Sequence, residues 1–322
     1  MKISVAMCTY NGEKHLVEQL DSILNQTHKV DEIIVCDDRS SDKTIEILNN
    51  YKINFPNIFQ IYQNEVTLRS VKNFEKAITL CTGDIIFLSD QDDRWVSEKV
   101  EEYIIYFNSH PNIKTLSSNG YCIDDNSILK DKYSLWDIPR FLREENIDFN
   151  YYTLISQILN VATGASMAFK KEVLSDILPF PVVDKFHHDE WIALISSSKD
   201  QFELLDKKYF YYRLHDNQQV GGVFYDKTEK TKLWLIDMCN LNHDNISFKQ
   251  YKKRWKRVFR AYQKNIKLST FDTKFSDSFK INSEETKNLF FKTESAMKKK
   301  YFFQYHLMKI GYNLKNKNLK IE

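Results

Sequence analysis

The chain lacks any run of about eighteen consecutive apolar residues, so no helix is expected to span a bilayer. Its opening apolar segment, residues 2–8, is too short for a signal peptide, has no cleavage site and reads as a first strand. Cysteine is sparse: five residues, at positions 8, 36, 81, 122 and 239, odd in number and without Cys-x-x-Cys spacing. That pattern argues for reduced cytosolic thiols and against a structural zinc or a disulfide framework. Glycine is scarcer still, 7 in 322 residues, with no Gly-x-Gly-x-x-Gly after the first strand and no Gly-Lys-Ser/Thr. A glycine-rich helix N-terminus therefore does not hold a phosphate here, which counts against a dehydrogenase or a P-loop enzyme. Net charge is also small, +2, but it is unevenly spread. Residues 231–322 hold 21 Lys+Arg against 8 Asp+Glu, net +13, while residues 1–230 hold 25 against 36, net −11. An acidic body with a basic tail implies a division of labour.

What is present is strand alternating with helix. Short apolar runs at 2–8, 31–35, 58–63 and 85–88 are each followed by a segment with helical spacing, ending at about residue 108. This is the pattern of an α/β fold with a mostly parallel sheet flanked by helices. The stretch Gly83 to Trp95 organises it. Ile85 to Leu88 suits a strand buried on both faces, and Asp90, Asp92 and Asp93 follow directly. Three carboxylates so close repel one another and call for a counter-ion. Asp37 and Asp38 end the second strand, and Thr9 and Tyr10 end the first. Ligands in such sheets bind at the carboxyl ends of strands, where all these side chains are expected to gather. Asp38 as a cap for the following helix is the plainer alternative. Beyond residue 108 the regularity loosens. Strands are expected at 114–124, 163–169 and 201–214, a polar loop at 125–150, short helices at 151–159 and 192–196, and a loop from His215 to Gly222.

These segments resemble the family-two inverting, nucleotide-sugar-dependent glycosyltransferases with the GT-A fold. The resemblance covers about residues 1–222. It rests on Thr9-Tyr10-Asn11-Gly12, on Val35-Cys36-Asp37-Asp38-Arg39-Ser40, on Asn73-Phe74, and on Ser89-Asp90-Gln91-Asp92-Asp93-Arg94-Trp95. Thr163-Gly164-Ala165-Ser166-Met167-Ala168-Phe169 and His188-Asp189-Glu190-Trp191 complete the ordered set. Tyr212-Arg213-Leu214-His215 with Gln219-Val220-Gly221-Gly222 makes it most like the rhamnosyltransferase-like branch.

The resemblance implies that Thr9, Tyr10, Asn11, Asp38 and Asp90 hold the donor nucleotide. It implies a divalent metal, Mn²⁺ or Mg²⁺, on Asp92 with His215, and Asp189 as catalytic base. Glu190 is the alternative base and, with Trp191, a candidate acceptor contact; Trp191 serves the core equally well. Arg69 stands where the family often has glycine, so Arg69 and Lys72 are candidates for the diphosphate, and a solvated helix start fits them equally. No Gln-x-x-Arg-Trp of processive synthases occurs, which implies one sugar per encounter. The implied reaction transfers a sugar, such as rhamnose from dTDP-rhamnose, or one carried on UDP, to a glycan or lipid-linked acceptor of a bacterial surface polysaccharide. A sugar-phosphate nucleotidyltransferase, whose glycine-rich basic loop is missing here, and a non-catalytic sugar-binding protein are the alternatives.

The expected division is a catalytic domain at 1–225 and a basic helical region at 226–322. Phe248, Tyr251, Trp255, Val258, Phe259, Tyr262 and Ile266 recur at three- and four-residue steps, with seven Lys or Arg between Lys252 and Lys264. Together with a second mixed stretch, Leu289 to Leu314, which sets Lys298-Lys299-Lys300 beside Tyr301-Phe302-Phe303, such a helix suits an anionic membrane surface, placing the protein in the cytoplasm at the inner face of the membrane. Packing on the catalytic domain, or on a second copy in a homodimer, is the alternative. No nucleic-acid-binding module accompanies the charge.

Overall fold

In a computed structural model, which describes residues 1–215, 223–241, 243–271, 273–314 and 321, the expected alternation is realised. β1 (Ile3–Thr9), β2 (Glu32–Asp37), β3 (Phe59–Gln63) and β4 (Ile85–Ser89) alternate with α1 (Leu16–Leu24), α2 (Thr44–Asn54) and α3 (Arg69–Leu80). β1 pairs in parallel with both β2 and β4, and β2 pairs in parallel with β3. All five residues of β4 are buried, as its unbroken apolar run requires. Burying each of its Ile, Phe or Leu side chains is worth about 1.5–3 kcal/mol. The helices turn single stripes inward: Leu16, Leu20 and Ile23 from α1, and Phe74, Ala77 and Ile78 from α3.

After β4 come β5 (Arg94–Trp95), α4 (Lys99–Ser109), β6 (Thr115–Ile123), β7 (Leu129–Lys130) and β8 (Lys132–Ser134). α5 (Ile138–Glu144) and α6 (Tyr151–Gln157) precede β9 (Ala168–Lys170), α7 (Leu174–Ile177), α8 (His188–Ser197), β10 (Phe202–Arg213) and β11 (Phe224–Asp226). The main sheet runs β3-β2-β1-β4-β9-β6-β10-β5, with β7 on β6. β9 is antiparallel to both β4 and β6, β10 is parallel to β6, and β5 is antiparallel to β10. Two local expectations change. The strand expected at 163–169 is a one-turn 3₁₀ helix, Gly164–Ser166, followed by three strand residues. The expected polar loop at 125–150 contains β7, β8 and α5. The expected loop at 216–222, with its Gln-Val-Gly-Gly, lies outside the described residues.

Two compact units emerge, Met1–Pro139 with Ala162–Lys227, and Arg140–Val161 with Thr228–Glu322. The segment 140–161 thus belongs with the C-terminal helices, whereas the sequence reading kept it in the first domain. The second unit is built on α9 (Glu229–Cys239), α10 (Phe248–Ser269), α11 (Ser276–Lys300) and α12 (Phe302–Leu314). Ser247 and Gln250 close a capping box at the start of α10. Tyr251, Trp255, Val258 and Phe259 of α10 pack with Phe290 and Met297 of α11 and with Tyr305 and Met308 of α12. This corrects the membrane reading of α10: its aromatic face is the core of a bundle made by the chain's own helices. Even Arg254 turns inward, donating to the carbonyls of Asp237, Asn240 and His243.

Candidate functional site

The loops at the ends of β1, β2 and β4 are cross-tied by short polar residues. Asp37, fully buried, accepts from the Thr9 hydroxyl at 2.8 Å and from the Ser40 amide at 2.9 Å. Asn11 donates its amide to Ser40 Oγ at 2.9 Å and accepts from the Ser41 amide at 2.8 Å. Asn11 has φ 49°, within the left-handed region that Asn tolerates. Gln91 brackets Tyr10 from the β4 loop, accepting from its amide at 2.8 Å and donating to its carbonyl at 3.0 Å. Gly12 makes room for that bracket, since a Cβ there would stand 2.3 Å from Gln91 Oε1. The Tyr10 side chain is left 54% exposed beside these strand ends.

Asp38 is 5% exposed and accepts from Asn64 Nδ2 at 2.9 Å, the Leu68 amide at 2.7 Å and the Arg69 amide at 2.9 Å. It therefore caps α3, one helix later than the sequence suggested. A carboxylate has about four acceptor positions, so one is still open to a ligand. Arg69 has φ 60° and an exposed side chain. Lys72 instead pairs with Glu75 at 2.8 Å and donates to the Phe180 carbonyl at 3.2 Å. Two candidate contacts change. Thr9 is 2% exposed with its hydroxyl committed to Asp37. Trp191 is also 2% exposed and donates its indole N–H to the Ile177 carbonyl at 2.7 Å, so it is a core residue and no acceptor platform. Glu190 remains partly exposed in the first turn of α8.

Asp90, Asp92 and Asp93 leave the end of β4 in three environments. Burial first, then the negative charges of Asp92 and Asp189, push the Asp90 carboxyl up to about 7. Asp189, in the first turn of α8, thus acts electrostatically on the β4 loop. Asp93 is 2% exposed, with Oδ1 accepting from the Arg213 amide at 3.1 Å and Oδ2 without a partner among the described residues. Burial, then Asp92 and Asp90, hold its carboxyl well above the usual range. Asp92 Oδ2 meets His215 Nε2 at 2.9 Å, just beyond β10. This contact raises the His215 imidazole, against the lowering effect of burial. Arg213 fixes the arrangement from below, donating to the Asp92 carbonyl at 2.7 Å and to Glu18 at 2.6 Å.

Asp189 lies in the first turn of α8. Its Oδ1 accepts from the Glu190 amide at 2.7 Å and its Oδ2 from the Gly164 amide at 3.2 Å. Burial is the main cause of the raised pKa of its carboxyl. A half-buried carboxylate held by backbone donors and poised above the usual range can accept a proton from a bound hydroxyl. The Gly164–Ser166 turn that carries one of those donors is held from beneath. Lys99 donates to the Ala165 carbonyl at 2.9 Å, and Tyr103, one turn along α4, donates to the Ser166 carbonyl at 2.7 Å. Lys99 is fully buried, with its ammonium 3.9 Å from the centre of the Trp95 ring, and burial lowers its pKa well below the usual lysine range. His188 packs on Phe74 with ring centres 4.0 Å apart, and burial pushes it down to about 3, so it stays neutral. The sequence motifs contain Gln91 and Arg213 without assigning them a role, and Lys99 lies outside those motifs. Its signal is a lysine four residues before Tyr103 and eight before Phe107 on an otherwise apolar stripe.

Oδ2 of Asp92 and Nε2 of His215 are separated as two neighbouring ligands on an octahedral divalent cation would be, with bonds of about 2.1 Å. Among the described residues no group of three or more metal-binding side chains occurs. The pair therefore suits a hard cation that takes its remaining oxygens from water and a ligand's phosphates.

Residues 4–178 match the sequence profile of glycosyl transferase family 2, more than half of the chain. The dTDP-rhamnosyl transferase RfbG of Shigella flexneri is 29% identical over 245 residues, covering 71% of this chain and 78% of the relative. The UDP-Glc:alpha-D-GlcNAc-diphosphoundecaprenol beta-1,3-glucosyltransferase WfaP of Escherichia coli is 26% identical over 224 residues, 69% of this chain and 81% of the relative. Among solved structures, S. aureus TarS residues 1–349 in complex with UDP-GlcNAc shares the fold with TM-score 0.54 at 15% identity, covering 93% of this chain and 92% of that one.

Proposed function

Because the chain belongs to glycosyl transferase family 2, and is a nucleotide-sugar-dependent glycosyltransferase of GT-A fold, we propose that it adds a single sugar, rhamnose from dTDP-rhamnose, to a lipid-linked or growing glycan. The observation that carries the site reading is the contact of Asp92 with His215 at 2.9 Å, and the charge of Asp189 on α8, acting with that of Asp92 on Asp90, supports it. Carboxylates from separate elements bear on one place.

In this reading Tyr10, Asn11, Asp38 and Asp90 receive the base and ribose, with Thr9 and Asp37 bracing their loops. Asp92 and His215 hold the divalent cation, Mn²⁺ or Mg²⁺, which when bound neutralises charge developing on the leaving diphosphate. Arg69, exposed at the start of α3, lies over the phosphates. Asp189 removes the proton of the acceptor hydroxyl as the acceptor oxygen bonds to the anomeric carbon. The bond from that carbon to the diphosphate breaks on the opposite face, inverting the centre, and the nucleoside diphosphate leaves. Glu190, partly exposed beside Asp189, orients the acceptor. The second unit, Arg140–Val161 with Thr228–Glu322, and the catalytic unit divide the work of acceptor delivery and transfer.

The dTDP-rhamnose assignment is supported by the RfbG relative, and the lipid-linked acceptor by the WfaP relative, whose name also keeps UDP-glucose as the second donor. A screen of dTDP-, UDP- and GDP-sugars with and without Mn²⁺, reading nucleotide release, tests this. Metal-dependent turnover of dTDP-rhamnose is expected. Turnover confined to another donor overturns the donor assignment, and turnover indifferent to chelation overturns the metal site.

A further inference from the structure

The helix α12 is apolar on two opposite faces, and the bundle uses one of them. Tyr305 and Met308 are each 8% exposed and belong to the bundle core. On the other side Phe303 is 80% exposed, Leu307 70% and Ile310 55%, at positions i, i+4 and i+7, with Phe302 at 54% beside them. Lys298, Lys299 and Lys300, all exposed, end α11 immediately before this stripe. Among the described residues none of the three pairs with a carboxylate; Lys300 donates only to the Asp244 carbonyl at 3.2 Å and to Asn245 Oδ1 at 2.9 Å.

We propose that the outer face of α12, together with Lys298 to Lys300, docks the protein on an anionic phospholipid surface. Exposed aromatic and aliphatic side chains bordered by ammonium groups that meet no carboxylate among the described residues match the acyl boundary and the headgroup layer of such a surface. A second copy of the chain fits less well. A two-fold contact with the two helices parallel would set the same three lysines near their own counterparts. Four side chains also fall short of the roughly 800 Å² per partner that a standard interface buries. The tail as a whole repeats the sign of the charge, +13 over residues 231–322. The transferase reading says what this surface is for, delivery of the enzyme to an acceptor held in lipid, but the surface itself does not depend on that reading.

The test is sedimentation of the full-length protein with phosphatidylcholine vesicles, with and without about a third phosphatidylglycerol, at low salt. Two variants accompany it, Phe303→Ser/Leu307→Ser/Ile310→Ser and Lys298→Gln/Lys299→Gln/Lys300→Gln. The parent is expected to partition onto the anionic vesicles only. The lysine variant should lose roughly 100-fold in partition, about fivefold for each charge removed. The apolar variant should stay in the supernatant, and donor hydrolysis in solution should be unchanged in both. The proposal is overturned if the parent ignores anionic vesicles or if both variants bind as it does. It is also overturned if light scattering shows a parent dimer that the apolar variant splits, since a second copy then covers the stripe. Vesicle binding without donor turnover would instead sink the transferase reading and leave the surface standing.

Discussion

Replacing Asp189 by Asn probes the chemistry with little disturbance to the fold. Asn keeps an oxygen for the Glu190 amide and gives up the acceptor that faces the Gly164 amide. One neutral hydrogen bond is worth about 0.5–1.5 kcal/mol net, a small part of the 5–15 kcal/mol typical of a folded domain. Donor affinity should therefore change by no more than about threefold, because the donor's binding groups lie on other loops. Loss of a general base costs roughly 10²–10⁴-fold in kcat, about 3–5 kcal/mol of barrier. The pH profile gives an independent check. Burial raises the Asp189 carboxyl, and only its ionised form accepts a proton. The activity of the parent should thus rise with pH along a limb lying above the ordinary carboxylate range, and the Asn variant should lose that limb. Steady-state nucleotide release from pH 4 to 9, with donor affinity by calorimetry, measures both. An Asn variant turning over at the parent rate, or retaining the limb, would refute the assignment.

Three further outcomes follow from the geometry. Gly12→Ala forces Gln91 off the Tyr10 backbone, so KM for the donor should rise about tenfold with kcat nearly unchanged, as expected when binding alone is lost. Lys99→Met leaves the buried Ala165 carbonyl without its donor and should lower the unfolding free energy by about 1–3 kcal/mol in urea, and kcat with it as Gly164 loosens its hold on Asp189; unchanged kcat would show that the turn needs no such support. Burial and the charges of Asp92 and Asp189 push the Asp90 carboxyl up to about 7, far above a free carboxylate, so the native state binds this proton the more tightly. Its stabilising effect is complete below about pH 4 and is lost as pH rises through 7; Asp90→Asn should flatten that part of the metal-free stability profile.

The first four strands and the acidic ends of two of them were legible because local pattern decides them. A run such as Ile85 to Leu88 has few alternatives to a buried strand, and the carboxylates that follow it have nowhere to go but its carboxyl end. Long-range pairing was not legible. β5 is two residues long and finds Phe210 and Tyr211 of β10 more than a hundred residues away, through contacts that leave no local period. Trp191 shows the same limit, since an indole beside acidic residues serves core or platform equally until Ile177 is placed against it. The basic helix α10 carried a true amphipathic signal, but amphipathicity states that a face must be covered and is silent on the partner. The partner was the pair α11 and α12, and the uncovered face passed to α12.

A crystal of the protein grown with dTDP and Mn²⁺, with the metal located by its anomalous scattering, tests the central claim most directly. The account predicts one manganese bound by Asp92, His215 and the diphosphate oxygens, with the nucleoside beside Tyr10 and Asp38 and the Asp189 carboxylate facing the vacant sugar position. Manganese or nucleotide ordered on another surface, with Asp92 and His215 still bonded to each other, would contradict it.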